Sequence, residues 1–430
     1  MSGSTFLVPM GDLTPDQRRI VQLPPQGHRV VFGPPGSGKT LVLIHRAAHL
    51  AQSLGIGEDR FRVVVFTNVL KDYIRSGLEF LHIPPSSVVT FAALCQGLYR
   101  THVSRRVPWD DVAHAPDFAA IQTGVLTLLK RRRDLQQQLD FTVVDEGQDL
   151  GKEAFTILSL LSKHVTVFAD PLQRIFAGGA GEDEILQELG LPRRSGNFLA
   201  AFRNSPDVAQ LASWYISGAG ERAEYLRQVR NVLTPRERPL LYEAASPDEE
   251  LDRLAESIQN RMAMRHRVGV IVPRSRTVFG VAKALQQRGV EVERAVPPKG
   301  PRDTTWLEIG FDNLVPKIAT YHSAKSLTFD TVYLPRLYRG AFAHVDSDDD
   351  VARLLFVGIA RATQWVCLST VCGHAHPALS VLHTAAEHGH IVIQSSRVQG
   401  RLDFDDEEHR REPLASGIED GEEDEGYSLL

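Results

Sequence analysis

The segment Gly33-Pro34-Pro35-Gly36-Ser37-Gly38-Lys39-Thr40 fits G-x-x-x-x-G-K-[ST], a loop that cradles phosphate groups. Its glycines let backbone N–H groups close around phosphate oxygens, and a helix beginning at Lys39 adds the positive end of its dipole. Lys39 is placed to reach the β- and γ-phosphates of a nucleotide, and Thr40 to hold Mg²⁺. A second chemical stretch is Val143-Val144-Asp145-Glu146-Gly147-Gln148-Asp149. Two acids behind an apolar run suit the same chemistry: Asp145 to hold Mg²⁺ through water, Glu146 to polarise an attacking water. An acidic helix cap would account for one of these acids but not for the whole D-E-x-Q-D set.

These groups need a rigid carrier, and the hydrophobic pattern supplies one. His28-Arg29-Val30-Val31-Phe32 reads as a buried strand before the loop, and Leu41 to Ala48 as the helix after it. Further strands are expected at 62–67, 88–91, 141–146 and 165–170, alternating with helical patterns, which indicates a parallel α/β sheet. Residues 92–138 read as a polar helical segment carrying the basic run Lys130-Arg131-Arg132-Arg133. The strand–helix alternation then restarts, with apolar runs at 239–242, 268–272, 318–321, 332–334 and 365–368. The expected organisation is a first lobe over 1–196 with a small helical insertion at 92–138, a second lobe over 197–395, and an acidic disordered tail over 396–430.

The chain has 430 residues, enough for two or three domains. Its net charge of −5 conceals an asymmetry: residues 403–430 carry twelve Asp/Glu and two Arg, so the remainder carries +5. A mildly basic body is compatible with a nucleic-acid partner, and the acidic tail with docking of a basic protein partner. Cys95, Cys367 and Cys372 have neither zinc nor disulfide spacing, which suits a reducing cytoplasm. The first residues lack signal-peptide character, and no apolar run is long enough to span a membrane. The histidines at 374, 376, 383, 388 and 390 have no clean metal spacing.

The acidic box resembles V-D-E-x-Q-D of UvrD/Rep-like superfamily-one helicases, and a series of that family's motifs follows in order from about residue 11 to 375. Leu13-Thr14-Pro15-Asp16-Gln17 is similar to the N-terminal glutamine motif, so Gln17 is expected to read adenine. Phe66-Thr67-Asn68 and Thr90-Phe91 resemble single-strand contacts, although Ala92 stands where the family has His. Asp170-Pro171-Leu172-Gln173-Arg174-Ile175-Phe176 resembles G-D-x-x-Q-x-I-Y. By that match Gln173 senses the γ-phosphate and Phe176 meets nucleic acid. Ala201-Phe202-Arg203-Asn204 resembles N-Y-R-S, with Phe202 on adenine and Arg203 as one arginine finger. Thr320-Tyr321-His322-Ser323-Ala324-Lys325-Ser326-Leu327-Thr328-Phe329 resembles T-x-H-x-x-K-G-L-E-F, with His322 on nucleic acid. Val357-Gly358-Ile359-Ala360-Arg361-Ala362 resembles V-A-I-T-R-A and supplies a second finger, Arg361.

The resemblance implies two RecA-like lobes, ATP and Mg²⁺ between them, and ATP-driven 3′→5′ movement along single-stranded DNA, with RNA also open as the track. Departures are visible. The segment from Phe176 to Ala180 is one residue short of the family's and lacks its second aromatic. Ser326 and Thr328 replace Gly and Glu, and Leu41 replaces a frequent Arg. The family's large second-lobe insertion does not fit between the 268–272 strand and Thr320. This reduction supports an alternative expectation: an ATP-gated regulatory subunit of a repair or phage-defence complex that controls a partner such as a nuclease.

Overall fold

Runs of β-branched residues closed by a turn residue make the strands of this protein, and amphipathic segments between them make the helices. A computed structural model describes residues 8–66, 70–71, 74, 81, 83–111, 114–173, 178–200, 205–229, 237–295, 313–325, 327–343, 345 and 347–396. The strands of the first lobe are β1 (Arg29–Phe32), β2 (Phe61–Val65), β3 (Val88–Thr90), β4 (Trp109–Asp110), β5 (Ala115–Pro116), β6 (Leu139–Val144), β7 (Ser162–Ala169) and β8 (Asn197–Phe198). Its helices are α1 (Pro15–Val21), α2 (Lys39–Leu54), α3 (Phe91–His102), α4 (Phe118–Arg131), α5 (Lys152–Leu161) and α6 (Glu182–Glu188).

The first sheet has the order β3-β2-β6-β7-β1-β8 and its paired strands are parallel. Parallel sheets bury both faces, which is why these strands read as near-continuous apolar runs. Alternate residues serve opposite faces: Val31, Val63, Val143 and Phe168 pack with Leu43 and Ile44 of α2. Val30, Val64, Val144 and Val167 pack with Phe155 and Leu158 of α5. Phe61 and Phe141 are partners in register on β2 and β6, and their rings stack at 4.8 Å. Such a pair adds about 0.5–1.5 kcal/mol beyond its burial.

The second lobe contains β9 (Leu240–Ala244), β10 (Val268–Val272), β11 (Glu293–Ala295), β12 (Lys317–Thr320), β13 (Phe329–Leu334), β14 (Ala362–Val371) and β15 (Val392–Ser395). With them go α7 (Pro206–Ser213), α8 (Ala219–Gln228), α9 (Pro247–Ala263), α10 (Ser275–Gln287), α11 (Tyr321–Ala324), α12 (Asp348–Ile359) and α13 (Val381–Glu387). Its sheet runs β11-β12-β10-β13-β14-β9-β15, again with parallel pairing. Both lobes are thus α/β layers of the expected RecA-like kind.

Two expectations need correction. The first sheet does not end at 196: β8 at 197–198 pairs with β1, and Leu199 packs in the first lobe's core. The chain is committed to the second lobe by Ser205, whose backbone N–H and hydroxyl donate to the Thr363 and Gln364 carbonyls. The insertion at 92–138 is not wholly helical, because β4 and β5 form a small antiparallel hairpin between α3 and α4. These strands leave no sequence signal because two-residue runs carry no periodicity. The tail from 397 onward lies outside the described residues.

One buried polar cluster ties α1, α2 and β7 together. Arg46 of α2 is fully buried and donates to the carbonyls of Ile20, Val21 and Leu23 and to the Thr166 hydroxyl. Its remaining group meets His164 Nε2 at 3.1 Å, and His164 Nδ1 faces the Gly27 carbonyl. This arrangement needs a neutral His164 with its proton on Nδ1. Burial, then the Arg46 charge, push its pKa down to about 4. The folded value lies below the unfolded one, so this contribution is complete above the unfolded pKa and is lost as pH falls toward 4. We expect denaturant unfolding to show a loss of about 2–3 kcal/mol between about pH 7 and about pH 4.5. A His164→Gln chain should show a flatter profile over that window.

Candidate functional site

The site lies along the carboxyl ends of the first sheet's strands, where open α/β sheets place their ligands. β1 feeds the phosphate loop and α2 leaves it. Gly36 and Gly38 have φ of 76° and 79°, a region glycine enters without strain. A Cβ on Gly38 would also stand 2.7 Å from Gln17 Nε2. Lys39 is 7% exposed; its ammonium donates to the Gly33 and Pro34 carbonyls at 2.8 and 3.3 Å and lies 3.6 Å from Asp170. Ser37 Oγ is buried with no hydrogen-bond partner among the described residues. A glycine-lined cradle, a buried lysine bonded to loop carbonyls and an orphaned hydroxyl fit a nucleotide phosphate group.

Gln17 sits beside this loop for a local reason. Thr14 and Gln17 form a reciprocal capping box at the start of α1, with bonds of 3.0 and 3.2 Å. The other end of the Gln17 amide donates to the Ser37 carbonyl at 3.1 Å. The residue expected to read a base therefore also braces the phosphate loop.

β6 delivers the acids. The Thr40 hydroxyl donates to Asp145 at 2.7 Å, which brings together two oxygen groups of the kind that bind a divalent cation. Burial, then the neighbouring Glu146 charge, raise Asp145 to about 7. Glu146 goes the other way. Burial would raise it, yet the charges of Lys325 and Lys39, a bond from Gln148 at 2.5 Å and the Arg361 charge hold it below the usual carboxylate range. Its backbone is left-handed, φ 51°, a conformation that costs a non-glycine residue about 1–3 kcal/mol and concentrates at functional sites. Gly147 follows because a Cβ there would stand 2.3 Å from Val167. Glu146 is therefore ionised, fixed and only 4% exposed.

β7 delivers Asp170 and, one turn later, Gln173. Gln148 links the two strand ends, donating to Glu146 and accepting from the Asp170 N–H at 2.8 Å. Gln173 donates to Asp170, and its carbonyl oxygen accepts from Arg361 of the second lobe. Arg361, 6% exposed, also donates to the Lys325 and Val357 carbonyls. Beside it the Lys325 ammonium lies 2.6 Å from both oxygens of Asp149. Burial is the larger influence on Asp149 and lifts it to about 7, with the Lys325 charge opposing; the two-oxygen contact is that of an ionised pair.

The structure thus gathers Gln17, the loop from Gly33 to Lys39, Thr40, Asp145, Glu146, Gln173 and Arg361 at one buried junction between the lobes. Lys325, Asp149, Asp170 and Gln148 join them. They stand inside the recognised motifs, but Lys325 and Asp149 are 176 positions apart and only the fold makes them partners. The expected nucleic-acid contacts are less assembled. Phe66 and Phe91 are partly buried against the first lobe's core, and the Thr90 hydroxyl caps α3 by accepting from the Ala93 N–H. His322 is half-buried in α11. Thr67, Asn68, Phe176, Phe202 and Arg203 lie outside the described residues, as does Ser326. No group of three or more candidate metal ligands among His, Cys, Asp and Glu occurs among the described residues. No described helix is long and apolar enough to cross a membrane.

Residues 13–115 match the family model of the UvrD/REP helicase N-terminal domain. No curated protein sequence matches the chain. Among solved structures, the C-terminal domain of a possible DNA helicase from Lactobacillus plantarum WCFS1 matches with 15% identity and a TM-score of 0.33. That match covers 45% of this chain and 99% of the other. At that TM-score it decides nothing about activity.

Proposed function

We propose that this chain, a UvrD-like protein of the helicase type, hydrolyses ATP in its interlobe cleft and uses the lobe motion to move along nucleic acid. The expected track is single-stranded DNA, travelled 3′→5′. The observation that carries the reading is the direct meeting of the lobes at the phosphate site: Arg361 of the second lobe bonds Gln173 of the first. A nucleotide entering there must displace or recruit both groups, so occupancy and lobe contact are coupled.

In this reading the loop N–H groups and Lys39 hold the phosphates. Thr40 and Asp145 hold Mg²⁺, which when bound would neutralise developing phosphate charge. Glu146 orients the attacking water and accepts its proton. Gln173 reports the γ-phosphate to Arg361, and Arg361 with Arg203 offsets charge in the transition state. Gln17 and Phe202 hold the adenine.

The buried Asp149–Lys325 pair would lock the closed cleft. Removing one partner of a buried pair costs about 3–5 kcal/mol because the other charge is left uncompensated. Asp149→Ala is therefore expected to open the lobes, seen as faster limited proteolysis and a larger radius of gyration in small-angle scattering. An unchanged radius would remove the lock from the scheme.

The deciding experiment measures ATP turnover with single-stranded DNA, duplex DNA and RNA, with and without residues 397–430, alongside strand displacement. Stimulation by single-stranded DNA with displacement supports the motor. Stimulation without displacement favours an ATP-gated switch that acts on a protein partner. No stimulation by any nucleic acid overturns the reading.

A further inference from the structure

A parallel sheet is ordinarily covered on both faces. At one edge of the second sheet, the pair β9–β15, that cover is incomplete. Leu240 and Tyr242 of β9 stand in register with Val392 and Gln394 of β15, so the four share one face. On the opposite face Ile393 packs into the core that holds Leu382 and Ala385 of α13. On this face α9 shields β9: Leu254 packs near Leu240, and the Arg253 guanidinium lies 5.6 Å from the Tyr242 ring. Val392 is left 43% exposed, and Gln394 is exposed beside it. Met264, 63% exposed, extends the side of α9 that carries Arg253 and Asn260, by its spacing from them. Between α9 and the strands lies a cavity of about 220 Å³, lined by Leu240, Tyr242, Leu254, Ser257, Tyr333 and Cys367. A cavity of about 150 Å³ accepts a benzene ring, so this one has room for a leucine or phenylalanine side chain.

The chain itself arrives at this groove. The Ser396 N–H donates to the Glu243 carbonyl at 2.8 Å, and its hydroxyl meets the Tyr242 hydroxyl at 2.8 Å and the Glu249 carboxylate in the first turn of α9. Residues from 397 on therefore leave beside the cavity floor, at the carboxyl ends of the strands. That end of the groove is acidic. Glu243 takes the Ser395 hydroxyl, Glu249 the Ser396 hydroxyl, and buried Glu250 lies 3.4 Å from Arg336. Further along, Glu256 pairs with Arg253 at 2.7 Å. Asp248 and Asp252 turn to the other side of α9, toward Arg288. The far end of the groove, at the amino ends of the strands, is basic. Arg238, Arg261 and Arg265 stand there with one acid, Glu237, bonded to Arg261 at 2.5 Å.

The sequence that follows has the complementary polarity. Arg397 and Arg401 come first, with no acid before Asp403, and acids predominate from there. Val398, Leu402 and Phe404 fall on one period-two alternation, so an extended segment presents them on one face. Its reach also fits: the eight residues 397–404 span about 26 Å when extended, and the 17 residues of α9 about 25 Å. We propose that residues 397–404 of this chain fold back along the groove between α9 and β15. Arg397 then lies among the acids of the near end. Leu402 and Phe404 cover the cavity, Val392 and Met264, and Asp403 and Asp405 approach Arg238 and Arg265. The segment closes the open edge of the sheet. It also delivers the acidic remainder to the amino ends of the strands, the end at which Arg361 leads into β14.

The test uses the full chain carrying Phe404→p-benzoyl-phenylalanine, irradiated and mapped by peptide mass spectrometry. Adducts within one chain on residues 237–265 or 392–396 are expected. Adducts confined to other parts of the chain, or no adduct, overturn the fold-back. So do adducts that form only between two chains and rise with concentration, which would assign the groove to a second copy. Hydrogen exchange gives a second readout. In a full chain with Leu402→Ser and Phe404→Ser together, amides of β15 and of the first two turns of α9 should exchange at least about threefold faster than in the unaltered chain. Unchanged exchange over both elements overturns the proposal. Neither readout involves ATP or nucleic acid, so its failure and that of the proposed activity are distinguishable.

Discussion

Glu146→Gln is expected to hold ATP about as tightly as the unaltered chain and to turn it over at least about a hundredfold more slowly. The substitution keeps the side chain's size and one acceptor oxygen and removes the charge. In the proposed mechanism the ground-state phosphate contacts come from the loop and Lys39, which it leaves alone. What it removes is the proposed proton acceptor, a buried carboxylate held ionised by Lys325, Lys39 and the bond from Gln148. Equilibrium binding of a fluorescent ATP analogue and single-turnover phosphate release separate the two effects. Turnover near the unaltered rate would displace Glu146 from its role. Stability should move with activity. A carboxylate held below its usual range by Lys325, Lys39, Gln148 and Arg361 contributes stability while ionised, and the amide leaves the cations less compensated. The melting temperature of the variant at neutral pH should fall.

Arg361→Ala is expected to lower turnover by about a thousandfold or more while changing nucleotide affinity only a few-fold, the pattern of a group that acts in the transition state. The side chain also braces the cleft, through Lys325 and Val357 carbonyls and Gln173. A purely bracing role would appear as a lower melting temperature and a raised KM with kcat largely kept. Arg361→Lys discriminates further. An ammonium keeps the charge but cannot serve acceptors on both sides of a planar fork, so it should rescue little of kcat. Recovery of most of the rate by lysine would make charge alone the requirement.

The parallel sheets are legible in the sequence because burial on both faces leaves uninterrupted β-branched runs such as Val63-Val64-Val65 and Val143-Val144. The ordered motifs are legible because their chemistry is local: glycines and Lys39 in one loop, Asp145 and Glu146 at one strand end. Three kinds of feature are not. Short pairings such as β8 and the β4–β5 hairpin hold too few residues for a period. The turn composition of Arg194-Ser195-Gly196 points to a lobe boundary before β8, and only the pairing of Asn197 with Val31 shows that the sheet continues. The second uses of residues are hidden as well, such as Gln17 bracing Ser37 or Arg46 anchoring α1.

The sequence by itself determined two α/β lobes, a glycine-rich loop ending in Lys39 and Thr40, and a pair of adjacent acids behind an apolar run. Residue type and near-neighbour spacing are sufficient for each of these. The tertiary structure decided which cation faces which carboxylate or carbonyl: Lys325 on Asp149, Arg361 on Gln173, Lys39 turned onto its own loop. It also decided which acid stays ionised. Asp145 and Glu146 are adjacent in the chain and share one local composition. Burial raises one to about 7, while cations from both lobes hold the other down. Electrostatic energy depends on distance and on exclusion of water, and neither is encoded in spacing along the chain.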